Sequence, residues 1–201
     1  MFDGLTLGVD SYYKKSHNLI DEGQFGAPII LTPFNYKDGK QYGIEFTGNY
    51  VHGPFSAYGN FALEHAVGKD IVSAQFNFAQ DDLDYIADHY IHLDHEQAFS
   101  ASGGVAYMLD GTKLSVDTLY GTGLREDGAV PNGDHLPNYL QVNLGATHAF
   151  QIANAGTLTA RFDVINLFDK VYEIRNGTGI GVGAPQFGPR RGFFGGLSYS
   201  F

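Results

Sequence analysis

Residues 189–201 read Pro189-Arg190-Arg191-Gly192-Phe193-Phe194-Gly195-Gly196-Leu197-Ser198-Tyr199-Ser200-Phe201, and their alternation decides the fold. Every second residue, Phe193, Gly195, Leu197, Tyr199 and Phe201, builds a face that is apolar and aromatic around one glycine. The residues between, Gly192, Phe194, Gly196, Ser198 and Ser200, are mostly small and polar. A period of two belongs to a strand whose two faces meet different surroundings. Aromatics stand at both ends of the apolar face. At about 3.3 Å per residue and a tilt of about 40°, the stretch between them climbs roughly 20 Å, close to the apolar band of an outer-membrane barrel. A membrane-spanning strand is therefore predicted here.

The same pattern recurs upstream, with predicted strands at about 4–15, 39–51, 54–66, 90–108, 112–125, 138–151 and 157–171. Their apolar faces carry, for example, Leu5, Leu7 and Val9; Tyr42, Ile44 and Phe46; and Val105 and Tyr107. The other faces carry the charge: Asp10, Lys14, Glu45, Glu64, Lys113, Asp117, Arg161, Asp163 and Arg190, with Asn49 among them. Only His65 and His148, near strand ends, interrupt the apolar side. Arg or Lys at a bilayer midplane costs roughly 2–4 kcal/mol, so lipid selects this segregation. The links alternate. His52-Gly53, Leu109-Asp110-Gly111 and 153–156 are tight, whereas 16–37, 67–89, 126–137 and 175–188 are long, and Asp110-Gly111 is a hairpin signal. The expected fold is all-β, an antiparallel up-and-down transmembrane β-barrel segment of about eight strands, part of a larger barrel. Glu45, Asn49, Asp117, Arg161, Asp163 and Arg190 are expected to face its lumen. A soluble calyx with a greasy interior gives the same alternation with the sides reversed, but accounts for neither the aromatic ends nor the one-sided loops.

Composition agrees. The 201 residues include 27 Gly, 16 Phe and 13 Tyr, and hydrophobic content is an ordinary 43%, as expected when only alternate strand residues meet lipid. There is no cysteine, so neither disulfides nor thiolate metal sites are available. A net charge of −10 argues against nucleic acid as a partner.

Certain motifs are more specific. Asn166-Leu167-Phe168-Asp169-Lys170-Val171-Tyr172, Gly177-Thr178-Gly179, Gly188-Pro189-Arg190-Arg191 and the terminal Leu197-Ser198-Tyr199-Ser200-Phe201 resemble the C-terminus of TonB-dependent outer-membrane receptors. Tyr42-Gly43-Ile44-Glu45 and Leu93-Asp94-His95-Glu96-Gln97 resemble that family's barrel strands. The resemblance implies a bacterial outer-membrane receptor, not an enzyme. It implies energised uptake of a small scarce nutrient such as a ferric siderophore or cobalamin, through a barrel of about 22 strands holding a plug. No plug, TonB-contacting motif or signal peptide is read in residues 1–201, so they are expected to be the C-terminal part of such a barrel, with plug and TonB system acting only in a full-length receptor. The implied partners are outer-membrane lipid and the barrel-assembly machinery, which reads a terminal strand with a glycine and alternating hydrophobics; Gly196, Tyr199 and Phe201 fit that signal, and Phe194 stands where a polar residue is usual. The alternative is a self-contained eight-strand outer-membrane barrel with a structural or adhesion role.

Two clusters remain. His89, His92 and His95 are ligand candidates for a loop. On a helix they would share a side, but on a strand His92 faces away from the other two, so no metal site and no cofactor is expected. The glycines of 177–183 suit a bending surface loop or a close approach to a ligand. They do not bridge a strand and a helix as a nucleotide-binding loop does. Asp81, Asp82 and Asp84 read as a solvated acidic loop.

Overall fold

A computed structural model describes residues 3–25 and 30–201. In chain order the elements are β1 (Leu5–Phe25), β2 (Ile30–His52), β3 (Phe55–Ile71), a 3₁₀ turn (Gln75–Asn77), helix α1 (Gln80–Asp88), β4 (Ile91–His92), β5 (Phe99–Leu109), β6 (Thr112–Gly121), β7 (Arg125–Glu126), β8 (Asp134–His135), β9 (Tyr139–Ile152), β10 (Gly156–Ile165), β11 (Glu173–Arg175), β12 (Gln186–Phe187) and β13 (Gly192–Ser200). Eight of them form one antiparallel meander, β1-β2-β3-β5-β6-β9-β10-β13, and β4 pairs beside β3 above β5. Among the described residues β1 and β13 each have one strand neighbour, so the sheet is an open segment and the eight strands do not close on themselves.

Register keeps the two faces distinct across the whole sheet. One row runs Leu5, Tyr50, Ala57, Val105, Val116, Leu144, Val164 and Phe193, every residue apolar or aromatic. Directly paired residues share a face, so one strand's alternation is repeated by its neighbour. The parallel row on the other face runs Asn49, Tyr58, Gly104, Asp117 and Asn143. Among the described residues most of the apolar face is left bare: Leu197 is 76% exposed, Leu7 72% and Val105 47%, while Val164 is buried. Phe46 stacks on Phe61 across the β2–β3 pair, at 4.6 Å between ring centroids. A calyx would have crowded these side chains into one dry interior, and the sheet does the opposite. So broad a bare apolar surface calls for a hydrophobic surrounding.

The tight turns fall where predicted. Asp110 and Gly111 both take positive φ, 46° and 76°, as a two-residue hairpin turn of the right twist requires. At the other end of the sheet the links differ from expectation. The expected link 16–37 is largely strand: β1 runs on to Phe25 and β2 starts at Ile30, with 26–29 outside the described residues. β1 and β2 thus rise well beyond the level at which β5 and β6 end. The cause is a second, water-side core. Phe34 and Tyr36 are fully buried there with Ile71, Ile86, Ile91, Leu93 and Ile180. Link 67–89 is likewise ordered. β3 extends to Ile71, and the acidic run opens α1, whose Asp81 and Asp82 occupy the first turn where the helix dipole favours negative charge. Ile86 of α1 is wholly buried in that core.

Four strand ends fall short of the expected bounds. The strand expected at 90–108 is broken: β4 covers only two residues and β5 begins at Phe99. β6 stops at Gly121 and β10 at Ile165. β13 starts at Gly192, so Arg190 precedes the strand instead of lining it.

Candidate functional site

The polar face carries a groove of about 460 Å³ lined by Asn49, Tyr58, Lys113, Asp117, Arg161 and Asp163, among others. Among the described residues its carboxylates Asp117 and Asp163 have local partners, and Lys113 has none. Tyr58 donates its hydroxyl to Asp117 Oδ1 at 2.9 Å, and Arg161 Nε donates to Asp163 Oδ2 at 2.6 Å. Glu45 lies on the same face, paired opposite Asp10 and Ala62. Five of the six polar residues singled out above therefore share one face, and Arg190 does not join them.

Arg190 belongs to a clip. Asn166, the residue after β10, is buried with φ 51°. Its side chain donates to the carbonyls of Lys170 (2.9 Å) and Pro189 (2.8 Å) and accepts from the Lys170 N–H (2.9 Å). Asp169 then receives Arg190 through a two-nitrogen fork, Nε to Oδ1 at 2.7 Å and Nη2 to Oδ2 at 2.5 Å, plus the Arg191 N–H at 2.9 Å. The Asn-Leu-Phe-Asp stretch thereby ties the end of β10 to the start of β13. Arg190 and the Arg191 amide hold the Asp169 carboxyl well below the usual aspartate range. A lowered folded-state value contributes stability that is complete above the unfolded value near 4 and is lost only as pH falls below it. Accordingly, an NMR titration of the Asp169 carboxyl should show no proton uptake at pH 4; a midpoint there would contradict the fork.

Above the sheet three links interlock through buried polar groups. Asp94, in the β4–β5 link, accepts Arg175 Nη1 of β11 at 2.8 Å, both side chains being nearly inaccessible. Arg175 Nη2 meets His95 Nε2 at 2.7 Å. A guanidinium can only donate, so His95 Nε2 accepts and its ring proton sits on Nδ1. That nitrogen faces Asp94 and Asp21 at 3.8 and 3.9 Å. Burial pushes the Asp21 carboxyl up, opposed by the Glu22 amide and by Arg175. Asn132, from the link between β7 and β8, donates to the carbonyls of His92 and Ile180 and accepts the Ile180 N–H, all at 2.8–2.9 Å. A buried side chain that serves three partners in two other links fixes them against each other.

The glycines of 177–183 serve this docking. A Cβ on Gly179, whose φ is +80°, would overlap Asn132 Oδ1, and one on Gly181 would meet the Asp94 carboxyl. Gly179→Ala should therefore cost about 1–3 kcal/mol locally, from the left-handed backbone alone, read as faster proteolysis within 173–187; unchanged cleavage would contradict it.

The three histidines of 89–95 do not converge. His89 stacks on Tyr85 at the end of α1, His95 joins Arg175, and His92 turns to Glu96. Glu96 is the acceptor that the sequence reading left unassigned. It is fully buried, accepts Arg125 Nη2 at 3.0 Å and His92 Nδ1 at 2.5 Å, and lies 3.4 Å from His65 Nδ1. The terminal residues Gly196, Tyr199 and Phe201 lie at the free edge. Gly196 pairs opposite Arg161 with open space beyond it, and Tyr199 donates its hydroxyl to the Ala155 carbonyl of the last tight turn.

A family model described as TonB dependent receptor-like, beta-barrel, matches residues 1–167. The matched part holds β1 to β10; the clip's second half and β13 lie outside it. No curated protein matches the chain.

Proposed function

Because the chain belongs to the TonB-dependent receptor β-barrel family, a family of outer-membrane receptors and transporters, we propose that its sheet is a wall of a nutrient-uptake barrel. The apolar face contacts lipid and the polar face, with Glu45, Asn49, Asp117, Arg161 and Asp163, looks into the lumen. The observation that carries this reading is the face-wide segregation held in register over eight strands, together with tight turns at one end and interlocked links at the other. In lipid an unpaired strand edge is not viable, so β1 and β13 pair with further strands of a larger barrel. The tight turns are periplasmic, and the interlocked links form part of the outer mouth, where ligand enters. The polar groove then faces a plug or a passing ligand, with Lys113 as its unpaired charge among the described residues. Residues 1–201 act as the C-terminal part of the receptor, and Gly196, Tyr199 and Phe201 present the strand that the assembly machinery reads.

The ligand is a scarce small nutrient of the ferric siderophore or cobalamin kind. Uptake of radiolabelled ferric siderophores and of cobalamin, in cells with and without the gene, tests this. The expected result is gene-dependent uptake of one of them, abolished when the proton-motive force is dissipated. Gene-dependent uptake that survives dissipation, or no gene-dependent uptake of either, would contradict it.

A further inference from the structure

His65 on β3, His92 on β4 and Glu96 in the β4–β5 link meet at the loop end of the sheet. One ring nitrogen from each imidazole and a carboxylate oxygen of Glu96 all lie within 4.8 Å of one another. We propose that these three side chains form a binding site for a divalent transition cation of the zinc class.

The chemistry of the donors selects the ion. Two imidazoles and one carboxylate suit zinc, nickel or copper, whereas magnesium and calcium require oxygen-rich sets. Zinc bonds of about 2.0–2.2 Å place tetrahedral donors roughly 3.5 Å apart. The cluster reaches that by drawing in about an ångström, which side-chain rotation supplies. His92 and His65 already point Nδ1 at opposite oxygens of the same carboxylate, at 2.5 and 3.4 Å.

The surroundings are built to hold the donors and to leave a way in. Glu96 has no solvent-exposed side-chain surface, and Arg125 anchors Oε1 at 3.0 Å, which fixes the carboxylate while Oε2 faces His92. Asn132 holds the backbone carbonyl of His92 at 2.9 Å. The His65 ring lies against Tyr42 at 4.9 Å and meets His92 edge to face at 5.1 Å. Outer partners of this kind orient metal ligands and tune their affinity. Both imidazoles keep about a third of their side-chain surface open, 35% and 28%, so a hydrated ion can enter and a fourth position remains for water or another donor. The site begins level with Tyr42 at the aromatic end of the apolar face and draws on β3, β4 and the link before β5. It does not depend on which nutrient the receptor carries.

The test is a calorimetric titration of Zn²⁺ into the protein, purified from the outer membrane in detergent without a histidine tag. One saturable site is expected. Loss of an outer partner alone weakens metal sites by about 10–100-fold, so His65→Ala and His92→Ala should each weaken Zn²⁺ binding by at least about tenfold. His89→Ala should leave it unchanged, and excess Mg²⁺ should not compete. Glu96→Gln also perturbs the buried Arg125 contact, so the native protein is examined by zinc-edge X-ray absorption, where two imidazole ligands are expected. No saturable binding, binding that survives the His65→Ala/His92→Ala double substitution, or an equal loss in His89→Ala would each overturn the site.

Discussion

Val116→Arg is expected to remove about 2–4 kcal/mol of folding stability in a bilayer, while Ser115→Arg, one residue away, changes it by less than about 1 kcal/mol. Val116 pairs with Val105 on one side and Leu144 on the other, in the apolar row. It stands four positions from Tyr120 at one end of β6 and four from Thr112 at the other, which puts it near the midplane. A guanidinium there either stays in hydrocarbon or distorts the bilayer to reach water. Ser115 pairs with Ala106 and Gly145 and lines the polar groove, where an arginine finds water and the Asp163 carboxylate nearby. Urea titration of each variant in lipid vesicles, followed by far-ultraviolet circular dichroism, gives the two values. Equal losses would contradict the assignment of faces.

Asp94→Ala has an effect of similar size in a different place. Its partner Arg175 is 6% exposed, so removing the carboxylate strands a buried guanidinium, which costs about 3–5 kcal/mol. The Val182 amide loses an acceptor with it. This cost falls on the interlocked links and not on the sheet, because neither residue pairs in the eight-strand meander. Amide hydrogen exchange across 173–187 should accelerate by about two to four decades, with exchange in β9 and β10 unchanged. Asp94→Leu combined with Arg175→Met should restore most of the protection, since an apolar pair of similar volume replaces a buried ion pair at little cost. Unaltered exchange in Asp94→Ala would show that the pair does not hold the links.

The membrane-level part of the fold was legible because one rule governs it. Lipid on one side and polar surface on the other impose a period of two, and Leu5 to Tyr13 or Phe193 to Phe201 states it without interruption. Beyond the band that rule lapses. Leu19, Phe34 and Tyr36 are apolar because α1 and the 177–183 loop pack over them from far along the chain, and no local pattern announces such cover. Asn18 and Asp70 also take left-handed φ, 54° and 60°, where both ladders skip Lys37, so the simple alternation does not run through. Gly23 and Pro33 read as loop residues, yet they pair in the hairpin opposite Thr32 and Glu22. Arg190 was placed in the lumen by running the period past Gly192, where Asp169 captures it instead.

The polar groups above the sheet were hidden for a similar reason. His92 was visible within an evenly spaced histidine run, but its partners are His65, on a neighbouring strand, and Glu96, which becomes available only because β4 breaks after two residues. Asp94 and Glu96 both lie within that break, and two acidic residues just after a short apolar run were a local signal that the strand stops there.

The most direct test of the account is lipid access to alternate residues. The chain has no native cysteine, so single cysteines at 102, 105, 143 and 144 can carry spin labels in the protein reconstituted into vesicles. Labels replacing Val105 and Leu144 should collide with oxygen dissolved in the bilayer, and those replacing Ser102 and Asn143 with a water-soluble nickel relaxant. Uniform access at all four sites, or access with the two sides exchanged, would contradict a sheet that meets lipid on one face and a lumen on the other.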